Sequence, residues 1–224
     1  MDKALVEKTL KVIETVSKMD FVKSLYLVGG TALALQLNHR LSEDLDFICW
    51  KKFKSQKINI NVNEIKNELS QYFTINKIDI LGNNHTDIII EDGVKLSFYA
   101  PDKIQPQINP VKYLNNLILA DENCIASLKM ELLLRRNEFR DYYDLYCILK
   151  NKDDNEIKQI IMNALKYSEH NLKSKNLIGI LTNSERFKYG ADFIQLSPIH
   201  NVTPNEIEEF IIERIKNNFL TTNK

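Results

Sequence analysis

LYLVGGTALALQLNHRLSEDLDF, residues 25–47, sets an apolar run against two glycines and a threonine, follows it with a helix-forming stretch, and ends on two aspartates around one leucine. LYLV, closed by Gly29 and Gly30, predicts a short buried strand. TALALQLNH is built from strong helix formers. DLDFICW, residues 44–50, predicts a second strand with Asp44, Asp46 and Ile48 on one face and Leu45, Phe47 and Cys49 on the other. Strands disfavour aspartate, so a pair on an apolar strand needs a reason, and a cation supplies one. Carboxylates at i and i+2 lie about 6–7 Å apart along the backbone, close enough for a hard divalent ion to sit between them. Glycines at a strand–helix junction let a triphosphate approach the backbone, and the first amides of the helix favour the anion. Thr31 adds a hydroxyl donor. One end of the stretch is thus suited to phosphates and the other to metal, the combination that two-metal sites use to activate an attacking oxygen and stabilise a leaving pyrophosphate.

The bulk properties are those of a soluble fold. The chain has 224 residues, 44% hydrophobic and 27% charged, with thirty basic residues balancing thirty acidic ones. Net charge therefore argues for no polyanionic partner, although a local basic patch is compatible with neutrality. No apolar run is long enough for a membrane span, the N-terminal segment does not read as a signal peptide, and Cys49, Cys124 and Cys147 lack metal-like spacing. A cytoplasmic protein with reduced thiols is expected.

The periodicity predicts a first helix over residues 3–18 and another at VNEIKNELSQYF. Three β-rich runs follow, FTINKIDI, TDIII and VKLSFYA, separated by GNN and EDG as in a meander. From Asp121 onward the pattern is helical, with Asp121 as N-cap and Leu128, Leu132 and Leu133 as core positions. TPNEIEEFIIERIKNNF opens with Thr203, Pro204 and Glu206, a capping box. The expected organisation is a mixed α/β domain over 1–110 and a helical domain over 111–224 that closes the active-site cleft.

The order strand, GGT, helix, DLDF resembles the signature of the DNA polymerase β-like nucleotidyltransferase superfamily. More narrowly, GGTALALQLNHRLSEDLDF is similar to the AbiEii/AbiGii-type abortive-infection toxins. ASLKMELLLRRNEFRDYYDLYCIL, residues 126–149, resembles that family's second signature, a lysine, an arginine-rich helix end and a paired-aspartate helix. The resemblance implies an α+β fold with a polymerase β-like domain and a helical domain. It implies phosphate binding by Gly29, Gly30 and Thr31, metal binding by Asp44 and Asp46, a phosphate contact from Lys129, and a functional aspartate at Asp144 or Asp141. The implied reaction is Mg²⁺-dependent transfer of a nucleotidyl group from an NTP to an acceptor hydroxyl. The implied role is a toxin with a cognate antitoxin, acting on tRNA or protein. Polymerase β-like enzymes carry a third carboxylate on a later strand; here that place falls at Ser97 or Lys95.

Other residues admit two readings. Lys129 could snorkel to solvent. Arg135, Arg136 and Arg140 suit an RNA backbone or a helix C-terminus, and Arg136 or Arg140 could instead pair with Asp141 or Asp144. Tyr142, Tyr143 and Tyr146 could stack a base, though core packing is favoured. Arg40 could neutralise a phosphate or pair with Glu43. The run Lys51, Lys52, Lys54, Lys57 is a solvated loop or an RNA contact. Two rival functions stay open: a non-catalytic NTP-binding module of the same fold, and a nucleotidyltransferase acting on a small molecule such as an aminoglycoside.

Overall fold

The computed structural model describes residues 4–190 and 193–219. The chain divides into two compact units, Met1–Asp121 and Glu122–Lys224.

The first unit is built on a mixed sheet. Its elements are α1 (Glu7–Val16), β1 (Tyr26–Val28), α2 (Gly29–Leu37), β2 (Leu45–Ile48), α3 (Val62–Leu69), β3 (Ile75–Gly82), β4 (His85–Ile90), β5 (Lys95–Tyr99), β6 (Val111–Lys112) and β7 (Ile118–Leu119). The order across the sheet is β3-β4-β5-β2-β1-β7-β6. The meander over β3, β4 and β5 forms as expected, each strand antiparallel to the next. β2 then lies parallel to β5 and antiparallel to β1, which buries it at the centre. The unit runs past residue 110 because β7 pairs with β1 and β6 with β7.

The two faces of the central strands differ in chemistry, following their period of two. One carries Leu27, Leu45, Phe47, Ile88, Leu96 and Phe98, all essentially inaccessible. Phe47 stacks on Phe98 with centroids 5.4 Å apart, and Phe21 meets both edge-on. The other face carries a polar row, because Asp46 lies opposite Ser97, Ser97 opposite Asp87, and Asp87 opposite Asp79. Residues directly opposed in a ladder share a face. An apolar face on one side leaves the acidic row on the other, so the DLDF alternation decides which way the sheet turns.

α2 starts at the first glycine after β1 and stops at Asn38, whose left-handed conformation (φ 50°) ends it as Asn can. The loop to β2 is clamped by the N-terminal segment. Val6 N–H donates to the Ser42 carbonyl at 3.2 Å, Ser42 N–H to the Ala4 carbonyl at 2.9 Å, and the Thr9 hydroxyl to the Glu43 carbonyl at 2.5 Å. These three bonds hold the backbone that leads into Asp44.

The second unit is helical, with α4 (Glu122–Leu132), α5 (Phe139–Leu149), α6 (Asp154–Tyr167), α7 (Ser174–Leu181) and α8 (Pro204–Phe219). The capping box at Thr203 is present: Thr203 N–H donates to Glu206 at 2.7 Å and Glu206 N–H to the Thr203 hydroxyl at 3.3 Å. An equivalent box at Asp153 and Glu156 starts α6. In α4 the inward face differs from the expected one. Cys124, Ile125, Lys129, Met130 and Leu133 are buried, while Leu128 and Leu132 are only partly covered. Among the described residues no helix is long and apolar enough to cross a membrane.

Candidate active site

The junction of β1, α2 and β2 brings the two ends of the opening stretch together. Val28 lies opposite Asp46 in the antiparallel pair, so the Asp46 side chain comes up beside the residue that follows Val28. That residue is Gly29, at φ +70°, a left-handed conformation that costs an L side chain about 1–2 kcal/mol. A Cβ on Gly29 would also collide with Asp46 Oδ2. At Gly30 a Cβ would lie 2.6 Å from Arg40 Nη2 and 3.2 Å from Ser42 Oγ, closer than side chains normally pack. The pair of glycines is therefore required first by the protein's own groups: a carboxylate occupies the space over one and a guanidinium the space over the other. The first amides of α2 have no partner within the helix.

Thr31 is placed differently from the expectation. It is fully buried, its hydroxyl donates to the Asp44 carbonyl, and it lies 2.9 Å from Ser42 Oγ. The hydroxyl ties α2 to the start of β2, and what Thr31 can present to an anion is its backbone N–H.

Asp44 is partly exposed, with Lys95 Nζ 3.5 Å from its Oδ2. Ser97, opposite Asp46, fills the position where the resemblance leads one to look for a third carboxylate. The next acid in the row is Asp87, one strand further, whose Oδ1 is 3.2 Å from His85 Nε2. Among the described residues no three His, Cys, Asp or Glu side chains gather as a metal cage. The chemistry of the Asp44 and Asp46 carboxylates suits Mg²⁺, which takes one or two protein carboxylates and completes its octahedron with phosphate oxygens and water.

In the second unit the structure joins Lys129 to both candidate aspartates. Lys129 Nζ is 2.8 Å from Asp141 Oδ1 and 2.5 Å from Asp144 Oδ2, and all three side chains are buried. Arg136 closes a fork on Asp141, Nε to Oδ2 at 2.8 Å and Nη2 to Oδ1 at 3.0 Å. α5 presents Asp141 and Asp144 one turn apart on one face, and the inward lysine of α4 meets them. Lys129 thus points inward, not out to solvent. Burial pushes the Asp141 carboxyl up, but the Lys129 charge and the Arg136 hydrogen bond and charge outweigh it, holding the group below its ordinary value. Arg186 braces the end of this helix pair, donating to the Leu133 carbonyl at 2.7 Å and the Arg136 carbonyl at 2.9 Å. Tyr142 and Tyr143 are core residues with no exposed ring face; the Tyr142 hydroxyl accepts from Arg186 Nε at 2.7 Å.

The pairing of an aspartate with Arg136, open from the sequence, is the fork on Asp141. Asp87 lies in an ordinary β run, and nothing short of the strand register marks it.

Solved structures share the fold of a glycine turn set against a strand aspartate on a mixed sheet. The chain is similar to MenT4, a nucleotidyltransferase toxin of Mycobacterium tuberculosis H37Rv, with a TM-score of 0.59 and 14% identity over 96% of this chain and 82% of that one. It is also similar to a candidate nucleotidyltransferase of H. pylori, with a TM-score of 0.56 and 18% identity over 96% of each chain. An uncharacterized protein of Aquifex aeolicus (strain VF5), aq_aa25, is 26% identical over 174 residues, 74% of this chain and 78% of that protein. Residues 12–111 match the model of the AbiEii nucleotidyl transferase toxins of type IV toxin–antitoxin systems.

Gly29→Ala and Gly93→Ala separate backbone strain from the site. Both glycines sit at φ +70°, but nothing lies near the Cβ position of Gly93. Each substitution is expected to lower stability by about 1–2 kcal/mol in a denaturant titration. Only Gly29→Ala, which displaces Asp46, is expected to reduce nucleotidyl transfer as well.

Asp141→Asn is expected to destabilise by about 3 kcal/mol at neutral pH, because it leaves the buried Lys129 and the partly exposed Arg136 against one carboxylate. The stability that a depressed carboxyl contributes is present above its unfolded pKa and is lost as pH falls through the folded one. The gap between wild type and Asp141→Asn in urea unfolding should therefore shrink as pH drops below the ordinary carboxylate range.

Proposed function

We propose that this nucleotidyltransferase moves a nucleotidyl group from an NTP to a hydroxyl of tRNA or of a protein, with Mg²⁺, as the toxin of a pair whose antitoxin is a separate protein. The observation that carries this reading is the contact of Asp46 with the Gly29–Gly30 turn, which joins a metal-type carboxylate to a phosphate-type helix start. The family match supports the toxin role.

In this reading the Gly30 and Thr31 amides at the start of α2 hold phosphate oxygens, and Asp44 and Asp46 hold Mg²⁺. When bound, the ion neutralises charge on the triphosphate and on the departing pyrophosphate. The acceptor oxygen forms a bond to the α-phosphorus, the bond from that phosphorus to the β-bridging oxygen breaks, and pyrophosphate leaves. Asp44 and Asp46 set the ion by their fixed spacing on one strand face. Lys95 beside Asp44 balances part of the acidic row before a ligand arrives. The proton of the acceptor hydroxyl leaves to water. In the second unit Lys129, Asp141 and Asp144 are buried against one another, with Arg136 forked on Asp141, and to this closed cluster we assign the packing of α4 on α5.

The test is label transfer. Purified protein with Mg²⁺ and total bacterial tRNA is given each α-labelled NTP in turn. Label is expected on tRNA or on the protein itself with at least one NTP, abolished by EDTA and reduced by about 10²-fold or more in Asp46→Ala. Growth arrest on expression, lifted by Asp44→Ala, is expected for a toxin. Nucleotide binding with no transfer under any condition would count against the reading.

A further inference from the structure

The sheet ends at β3, and among the described residues no strand pairs with its outer edge. An open edge offers a row of backbone N–H and C=O groups to a second strand, so a protein either blunts it or uses it. β3 runs eight residues, INKIDILG, without a proline, and none of the eight is buried. Its register shifts against β4 fall between Ile75 and Lys77 and between Ile80 and Gly82, which leaves Lys77–Ile80 regular. Ile80 and Leu81 are 70% and 59% exposed, an apolar end on an open edge. A lysine on an edge usually repels a second strand. Lys77 does not stand alone, because Asp79 shares its face two residues on, with Lys77 Nζ 2.8 Å from Asp79 Oδ2. Asp79 also ends the acidic row on its open side. It lies opposite Asp87 on β4, and like charges in register call for a cation beside them.

We propose that β3 pairs with β3 of a second copy of this chain, antiparallel about a two-fold axis through Ile78, to give one continuous sheet. The charges of the strand choose that register. Directly opposed residues share a face, so in such a self-pairing an odd-numbered residue meets an odd-numbered one. A pairing centred on Lys77 sets lysine against lysine, and one centred on Asp79 sets aspartate against aspartate. Centring on Ile78 sets Lys77 of each copy opposite Asp79 of the other, once on either side of the axis, and Ile78 opposite itself. The acidic row then meets a lysine at the edge where it ended, and Ile80 and Leu81 come to lie beside the start of the second β3. This surface is separated from β2 by β4 and β5, and the proposal does not rest on the nucleotidyl-transfer reading.

The experiment is sedimentation velocity of the full chain over a concentration series, with a cross-linking arm that reads the register. Wild type is expected to show a monomer–dimer equilibrium. Lys77→Glu and Asp79→Lys each oppose like charges, and each is expected to weaken dimerisation about tenfold or more. Combining Lys77→Asp with Asp79→Lys should restore it. Ile78→Cys is expected to give a disulfide-linked dimer under mild oxidation, since residues opposed across an antiparallel pair have Cα atoms about 4.5–5.5 Å apart, inside the span of a disulfide. Gly82→Cys, four residues from the axis and opposite residue 74 of the other copy, should stay unlinked. A monomer at every concentration overturns the proposal and leaves the edge to a strand of another protein. A dimer that the charge reversals leave unchanged, or one that cross-links as well through Gly82→Cys as through Ile78→Cys, overturns it too.

Discussion

The approach of Asp46 to Gly29 is the constraint on which the first unit turns. It works only because β1 and β2 pair with Val28 opposite Asp46, because the residue after Val28 has no Cβ, and because that residue takes a left-handed φ. Shift the register of β2 by one residue and the aspartates pass to the face that buries Phe47 and Phe98, where a charge has no partner. The apolar packing of one sheet face and the chemistry of the other are therefore the same decision. The clamps on residues 42 and 43 from Ala4, Val6 and Thr9 serve that register at its entry point.

Each unit solves the same problem of holding charge out of water. In the first, carboxylates stand on a sheet face with cations near them: Lys95 by Asp44, Arg40 against the turn that Asp46 touches. In the second, two cations and two carboxylates are closed on one another at hydrogen-bond distance. The closed arrangement is rigid and costly to open, since removing one member of a buried ionic cluster strands the rest.

Much of this was legible from residue types. The GGT and DLD elements announce themselves because they break strand and helix preferences, and such breaks mark function more often than fold. The β3–β5 meander and the start of α8 follow from turn and cap chemistry at GNN, Thr203 and Glu206. Other features have no local signature. β6 and β7 are two residues each, too short for a period to register, and exist because β1 offers an edge. An apolar stripe along α4 puts Leu128 inside and leaves Lys129 open between two readings. The structure turns the lysine inward because Asp141 and Asp144 arrive from α5 to meet it, and leaves Leu128 partly covered, while Leu133 is buried as expected. Thr31 looked like a ligand to phosphate, yet its hydroxyl is taken by Asp44 and Ser42, partners visible only in three dimensions.

The most direct test of the central claim, that the glycine turn and the DLD strand form a single phosphate-and-metal element, is a crystal structure with Mg²⁺ and a non-hydrolysable NTP analogue. The account requires the triphosphate on the Gly30 and Thr31 amides and the ion between Asp44 and Asp46. A nucleotide bound elsewhere, with Asp46 still packed on Gly29 and no ion beside it, would contradict it.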